Sequence, residues 1–211
     1  MSKIKNKIEI FGDKIINDKE NNDEKSMEYK IDSMKNLDIS VIKDGNLEPC
    51  RKLYNELMGF QKSKAHIKRE LFDKFNFDES MKPTYEKAMD SQILLAKDNG
   101  IPIGYVFSTI ILTDDMKKAS LPGLLPEWSD LPAKIAHLNK FFIKDDYRGS
   151  GLGSKMIQMA EDWMFGFSDV DLIFVHVSNG NEEGYDFYIK HGFIFSHEVM
   201  GGFIKAVYKY R

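Results

Sequence analysis

Residues 136 to 154 read AHLNKFFIKDDYRGSGLGS. The apolar run from Ala136 to Ile143 has the character of a strand, and after a short polar bend Arg148-Gly149-Ser150-Gly151-Leu152-Gly153 leads directly into a helical pattern. Glycines at such a turn let several backbone N–H groups converge on one anion, and the positive end of the helix dipole points at the same place. Two familiar phosphate-binding patterns fail on spacing. A dinucleotide fingerprint requires Gly-x-Gly-x-x-Gly, yet the third position after Gly151 is Ser154; a P-loop requires Gly-Lys followed by Ser or Thr, whereas this chain has Gly153-Ser154-Lys155.

A second stretch lies downstream: Asn181-Glu182-Glu183-Gly184-Tyr185-Asp186-Phe187-Tyr188-Ile189-Lys190-His191-Gly192-Phe193. Arg148-x-x-Gly151-x-Gly153 after a strand, then an Asn opening the helix after the next strand, a Phe-Tyr pair and a closing Gly-Phe, together resemble the GNAT superfamily of acyl-CoA-dependent N-acetyltransferases. The resemblance covers residues 37 to 210 in outline and is specific from about 136 to 195.

It implies an α/β fold: one domain with a mixed, mostly antiparallel sheet, helices on both faces, and a splayed parallel pair formed by residues 136–143 and 171–178. It further implies acetyl-CoA as co-substrate, with the pyrophosphate at Arg148, Gly149, Ser150, Gly151, Leu152, Gly153 and Ser154. The pantetheine arm would meet unpaired backbone at Phe141 and Ile143 and the side chain of Asn181. Backbone N–H near Phe142 is expected to serve the oxyanion. Tyr188 suits the proton donor to the departing thiolate, since a phenol stays protonated at neutral pH. Superfamily members often carry Glu on the first splayed strand, where this chain offers His137 and Asn139. The base is therefore His137, an ordered water, or no group at all if the acceptor arrives neutral. Alternation places His137, Asn139 and Phe141 on one face.

The acceptor expected is a small-molecule primary amine; a protein or peptide amine, or an acyl-CoA-binding regulatory module without turnover, are the alternatives. A net charge of −3 gives no broad basic field for nucleic acid, and the single Cys50 excludes an internal disulfide framework. His191 and His197 are isolated, and no His, Cys or carboxylate cluster has metal-ligand spacing, so no metal is expected. With no long apolar run and no secretion signal, no membrane association is expected and the cytoplasm is the expected compartment.

Residues 1–36, dense in Lys, Asp, Glu and Asn, are expected to form a polar extension outside the domain at 37–211, with Ile8 to Ile16 able to form a hairpin. Along the domain, the pattern predicts a strand over 38–43 and a helix from Leu47 with Pro49 in its first turn. Further helices are expected over 64–75 and 84–91. Tyr54, Met58 and Phe60 read as core or as pocket lining. Asp98-Asn99-Gly100 predicts a hairpin between strands 92–97 and 102–112. Residues 113–135, with an apolar centre and Trp128, form a long connection, expected to fold over the cleft or to make a homodimer interface. Leu152, Met156, Met159, Ala160, Trp163 and Phe167 mark the buried face of the next helix, with Trp163 in the core. His176, on the strand at 171–178, reads as a packed or hydrogen-bonded residue.

Overall fold

The computed structural model describes residues 36–42, 44–118, 123–127 and 130–211. The expected N-terminal extension, its hairpin and Trp128 lie outside the described residues. The elements are β1 (Leu37–Val41), α1 (Arg51–Lys64), α2 (Phe77–Lys87), β2 (Asp90–Asp98), β3 (Ile101–Leu112), a short α3 (Thr113–Lys117), β4 (Lys134–Ile143), α4 (Leu152–Met164), β5 (Leu172–Ser178), α5 (Glu182–Lys190), β6 (Ile194–Val199) and β7 (Ile204–Tyr210). The strands make one sheet in the order β1-β2-β3-β4-β5-β7-β6. Pairs β2–β3, β3–β4, β5–β7 and β6–β7 are antiparallel, and β4–β5 is parallel. This is the mixed sheet the resemblance implies.

Two irregularities at the centre of the sheet create the site. The parallel pair holds only from Ala136↔Ile173 to Leu138↔Val175 and then opens. On the other side of β4, Phe107 pairs with Lys140 while Ser108 pairs with Leu138, which leaves Asn139 as the extra residue of a β-bulge. The bulge overturns the expected alternation. Pairing partners share a face, so His137 (opposite Thr109), Lys140 (opposite Phe107) and Phe142 (opposite Tyr105) lie together, and Phe141 is sent to the other side.

That shared face is covered in two halves. Leu53, Tyr54 and Leu57 of α1 with Phe77 and Met81 of α2 pack on Ile93, Leu95, Tyr105, Phe107 and Phe142. Each such large apolar side chain fully buried stabilises the fold by roughly 1.5–3 kcal/mol. The connection after β3 covers the far half, with Met116, Leu124, Leu125 and Leu131 against Ile135, Leu172 and Phe174. The His137 and Lys140 positions fall between the halves.

Local chemistry explains most boundaries. Asn99 (φ 49°) and Gly100 (φ 79°) are both left-handed, as the two-residue hairpin turn requires. The predicted helix over 64–75 is not formed. α1 stops at Lys64, Lys68 takes φ 50°, and only a 3₁₀ segment, Arg69–Lys74, follows. The cause is long-range: the Asn179 side chain accepts from His66 N (2.6 Å) and Ile67 N (2.9 Å) and donates to Ile67 O (3.1 Å) and Phe203 O (3.1 Å), diverting those backbone groups from a helix ladder. The next helix begins at Phe77, earlier than predicted, because Asn76 caps it through Glu79 N (2.8 Å), and Pro83 sits inside it. In α4 the buried face is Leu152, Met156, Ile157, Ala160 and Met164; Trp163 is only partly buried, edge-on to Phe167 at 5.3 Å, and is not the core residue expected.

Candidate active site

The opening between β4 and β5 contains a cavity of about 310 Å³, lined among others by Phe141, Phe142, Ile143, Arg148, Gly153 and Tyr188. Lys144 N donates to Ile103 O (2.9 Å), and antiparallel alternation then turns the Phe142 N–H towards β3 and the Phe141 and Ile143 backbone towards the opening. Of the N–H groups near Phe142, the one turned towards the gap therefore belongs to Phe141, and Phe142 contributes its ring.

At one end of the cavity the chain turns through Gly149 (φ 71°) and Gly151 (φ 86°), conformations that a residue with a Cβ adopts only with strain. A Cβ at Gly151 would meet no protein atom within 4 Å, so it is the turn, not packing, that demands glycine there. The turn is anchored by Tyr147 Oη donating to Asp98 (2.7 Å) and by Ser150 Oγ donating to Tyr147 O (2.6 Å). Ser150 Oγ also receives the Leu152 N–H (3.4 Å). The next N–H groups of α4 have no partner within the helix. Arg148 is held by Nε donation to Ile143 O (3.0 Å), by Asp145 (2.9 Å), and by stacking over Phe60 at 4.6 Å.

Not all the residues expected at this turn line the cavity. Gly149 and Gly153 do; Ser150, Gly151, Leu152 and Ser154 do not. Gly153 also sets the approach of two helices, since a Cβ there would press on the Phe187 ring at 3.2 Å. The Ser154 hydroxyl is committed: His191 Nδ1 donates to Phe187 O (2.7 Å), which leaves Nε2 to accept from Ser154 Oγ (3.0 Å).

Asn181 caps α5, its Oδ1 accepting from Gly184 N (3.1 Å), and it borders the cavity. Tyr188, about two turns further on, is buried, and burial raises its phenol above the usual range, which keeps it protonated. Phe60 and Leu57 line the cavity from α1, whereas Tyr54 is fully buried core.

Beyond Phe142, on the same face, is a group of nitrogen bases. His176 Nε2 lies 2.8 Å from Leu124 O, which only accepts, so that nitrogen carries the proton. His176 Nδ1 must then accept from His137 Nε2 at 2.9 Å. Burial, then His176 and then Lys140, pulls the His137 pKa well below its ordinary value, while the Asn139 side chain acts in the opposite sense. Burial brings His176 down to about 4. Lys140, whose Nζ donates to Asn139 O (3.2 Å), is brought by burial down to about 8. The sequence reading named His137 without its hydrogen bond to His176 and did not single out Lys140. Within the connection after β3, Leu124 O reaches His176 and Gly123 O lies 2.9 Å from His197 Nε2, so this part of it lies against this end of the cleft.

Among the described residues no group of three or more His, Cys, Asp or Glu could hold a metal ion, and no helix is long and apolar enough to cross a membrane.

A splayed parallel pair, a glycine turn at a helix start and an Asn-capped helix bearing Tyr188 define a class of acyl-transferring domain. The family model of the acetyltransferase (GNAT) family matches residues 47–193, more than half of the chain, and the chain belongs to that family. It is therefore an acyltransferase by family, with acetyl-CoA as the donor. Among solved structures it is similar to the PaiA N-acetyltransferase of Thermoplasma acidophilum in complex with coenzyme A (TM-score 0.60, 16% identity, covering 83% of this chain and 99% of that one). It is likewise similar to Arabidopsis thaliana Naa50 in complex with the bisubstrate analogue CoA-Ac-MVNAL (TM-score 0.55, 17% identity, 83% and 99%). An acetyltransferase from Streptococcus agalactiae matches at TM-score 0.57 and 16% identity, covering 84% and 99%. No curated protein matches the chain.

Proposed function

We propose that the protein transfers the acetyl group of acetyl-CoA to the primary amine of a small molecule. The observation that carries this reading is the continuity of the cavity, from the Gly149–Gly153 turn along the unpaired edge of β4 to Tyr188. The residues present suit the donor. Arg148 and the free N–H groups at the start of α4 would hold the pyrophosphate, with Gly149, Ser150, Gly151, Leu152, Gly153 and Ser154 shaping the turn. The Phe141 and Ile143 backbone and the Asn181 amide would pair with the pantetheine arm.

The acceptor nitrogen attacks the thioester carbonyl, the C–N bond forms, and the C–S bond breaks. The Phe141 N–H receives the developing oxyanion. Tyr188 gives its proton to the leaving thiolate, and His137, directly or through water, takes the proton lost by the amine. His176 acts as a positioning residue. By accepting the His137 Nε2–H it fixes the tautomer and leaves Nδ1 as the basic atom.

A small acceptor is favoured because Asn179 ties the 65–67 segment to the end of β5 and to Phe203, holding that segment on the body of the domain. Gly180 belongs to the same lock, since a Cβ there would overlap the Lys64 carbonyl. The test is thiol release from acetyl-CoA with a panel of amino acids, polyamines, aminoglycosides and short peptides. Turnover of a small amine supports the proposal. Preference for peptides would assign a peptide α-amine, and tight CoA binding with no turnover would assign a binding module.

A further inference from the structure

Lys140 is the least expected side chain in the cleft. By simple alternation from His137 it would face away, and the extra residue at Asn139 brings it round to the face of His137 and Phe142. Phe142 borders the donor cavity and His137 lies further along β4, so Lys140 stands between the two on the same face of that strand. It is partly buried, and its hydrogen-bond partner is a neutral carbonyl, Asn139 O. Among the described residues it forms no ion pair with a carboxylate, and burial, with no acidic neighbour to offset it, lowers its pKa to about 8. The other titratable groups that act there, His137 and His176, are bases as well.

A cation drawn out of water without a counter-charge is costly, and a charge-assisted hydrogen bond from a ligand anion is the usual remedy. The same cation repels an incoming ammonium that brings no negative charge with it. We infer that Lys140 is a specificity residue that pairs with an anionic group, carboxylate or phosphate, carried by the acceptor close to its reactive amine. The substrate class is then amino acids and other anionic amines rather than polyamines. This rests on the acetyltransferase reading above and sharpens it.

The experiment compares matched acceptors with and without the anion: an amino acid against its carboxamide, and phosphoethanolamine against ethanolamine. Wild-type protein should favour the anionic member of at least one pair by about tenfold or more in kcat/KM. Lys140→Met should bring that ratio close to one with CoA affinity unchanged, and Lys140→Arg should retain it. Calorimetric binding of the same pairs to CoA-saturated protein reads the preference without turnover. If no amine is acetylated although CoA binds, the acetyltransferase reading fails, while the ratio of dissociation constants still decides the role of Lys140. Ratios near one for both pairs in wild type overturn the inference, as does a preference that persists in folded, CoA-binding Lys140→Met.

Discussion

Replacing His176 with Gln removes an imidazole that titrates at about 4 in the folded protein, against a reference value near 6.5 in an unfolded chain. A group whose folded pKa is depressed takes up its proton more readily when unfolded, so acid favours unfolding. The stability it contributes is complete above about pH 7.5 and is lost progressively as pH falls from about 6.5 towards 4. For this displacement alone, moving from pH 7.5 to 5 costs about 2 kcal/mol. His137 is lowered in the same direction and adds to the loss. Gln keeps a donor for Leu124 O and an acceptor for His137, so His176→Gln tests titration more than packing. Urea unfolding followed by circular dichroism at pH 7.5, 6.5 and 5 should show wild type losing about 2 kcal/mol more than the variant across that range. A difference between the two proteins that stays constant with pH would mean that His176 titrates alike folded and unfolded, and the Leu124–His176–His137 chain would have to be abandoned.

Other outcomes follow from single contacts. Saturation with CoA at about a hundred times its Kd should stabilise wild type by about 2.7 kcal/mol, and Gly151→Val, strained at φ 86°, should lose that shift; an unchanged CoA affinity in the folded variant removes the site assignment. Tyr188→Phe should keep CoA affinity and lower kcat by roughly a hundredfold or more, whereas a wild-type kcat with chemistry rate-limiting makes Tyr188 a packing residue. Asn179→Ala, which deletes four hydrogen bonds at a residue only 4% exposed, should cost about 2–4 kcal/mol and raise the acceptor KM more than that of acetyl-CoA; equal changes in both would detach the 65–67 segment from acceptor binding. His137→Gln should abolish an acidic limb of kcat/KM lying well below pH 6.5, as the lowered His137 pKa requires, and a limb that survives places the base elsewhere.

The glycine turn, the hairpin at Asn99-Gly100 and the strand–helix order were legible because each is encoded within a few residues. Asn181 and Tyr188 could be placed for the same reason, the cap and the helix turn fixing both. What could not be read was made by partners distant along the chain. The helix expected over 64–75 fails because Asn179, more than a hundred positions away, claims the backbone of His66 and Ile67. His176 reads as an ordinary strand residue until β4 lies beside it and Leu124 reaches its far nitrogen. The oxyanion donor could be read no more closely than an N–H near Phe142 for a subtler reason: alternation tells which side a side chain takes, but the direction of each N–H depends on which neighbouring strand it pairs with. Lys140 escaped notice because strict alternation, the rule that places strand residues, is the rule broken at Asn139.

That one-residue irregularity bears on how such a domain can change its substrate. Exchanging side chains along β4 alters what each position offers, yet leaves unchanged which positions look into the cleft. Deleting Asn139 would not turn those positions round either: with the extra residue gone, His137, Leu138 and Lys140 still fall opposite Thr109, Ser108 and Phe107, so His137, Lys140 and Phe142 keep one face by plain alternation. What would go is the local bend and the Asn139 carbonyl that receives the Lys140 amine. The extra codon therefore sets the spacing and tilt at which the His137 and Lys140 side chains are presented, and relatives with an unbroken strand here should offer an acceptor the same groups in a different arrangement.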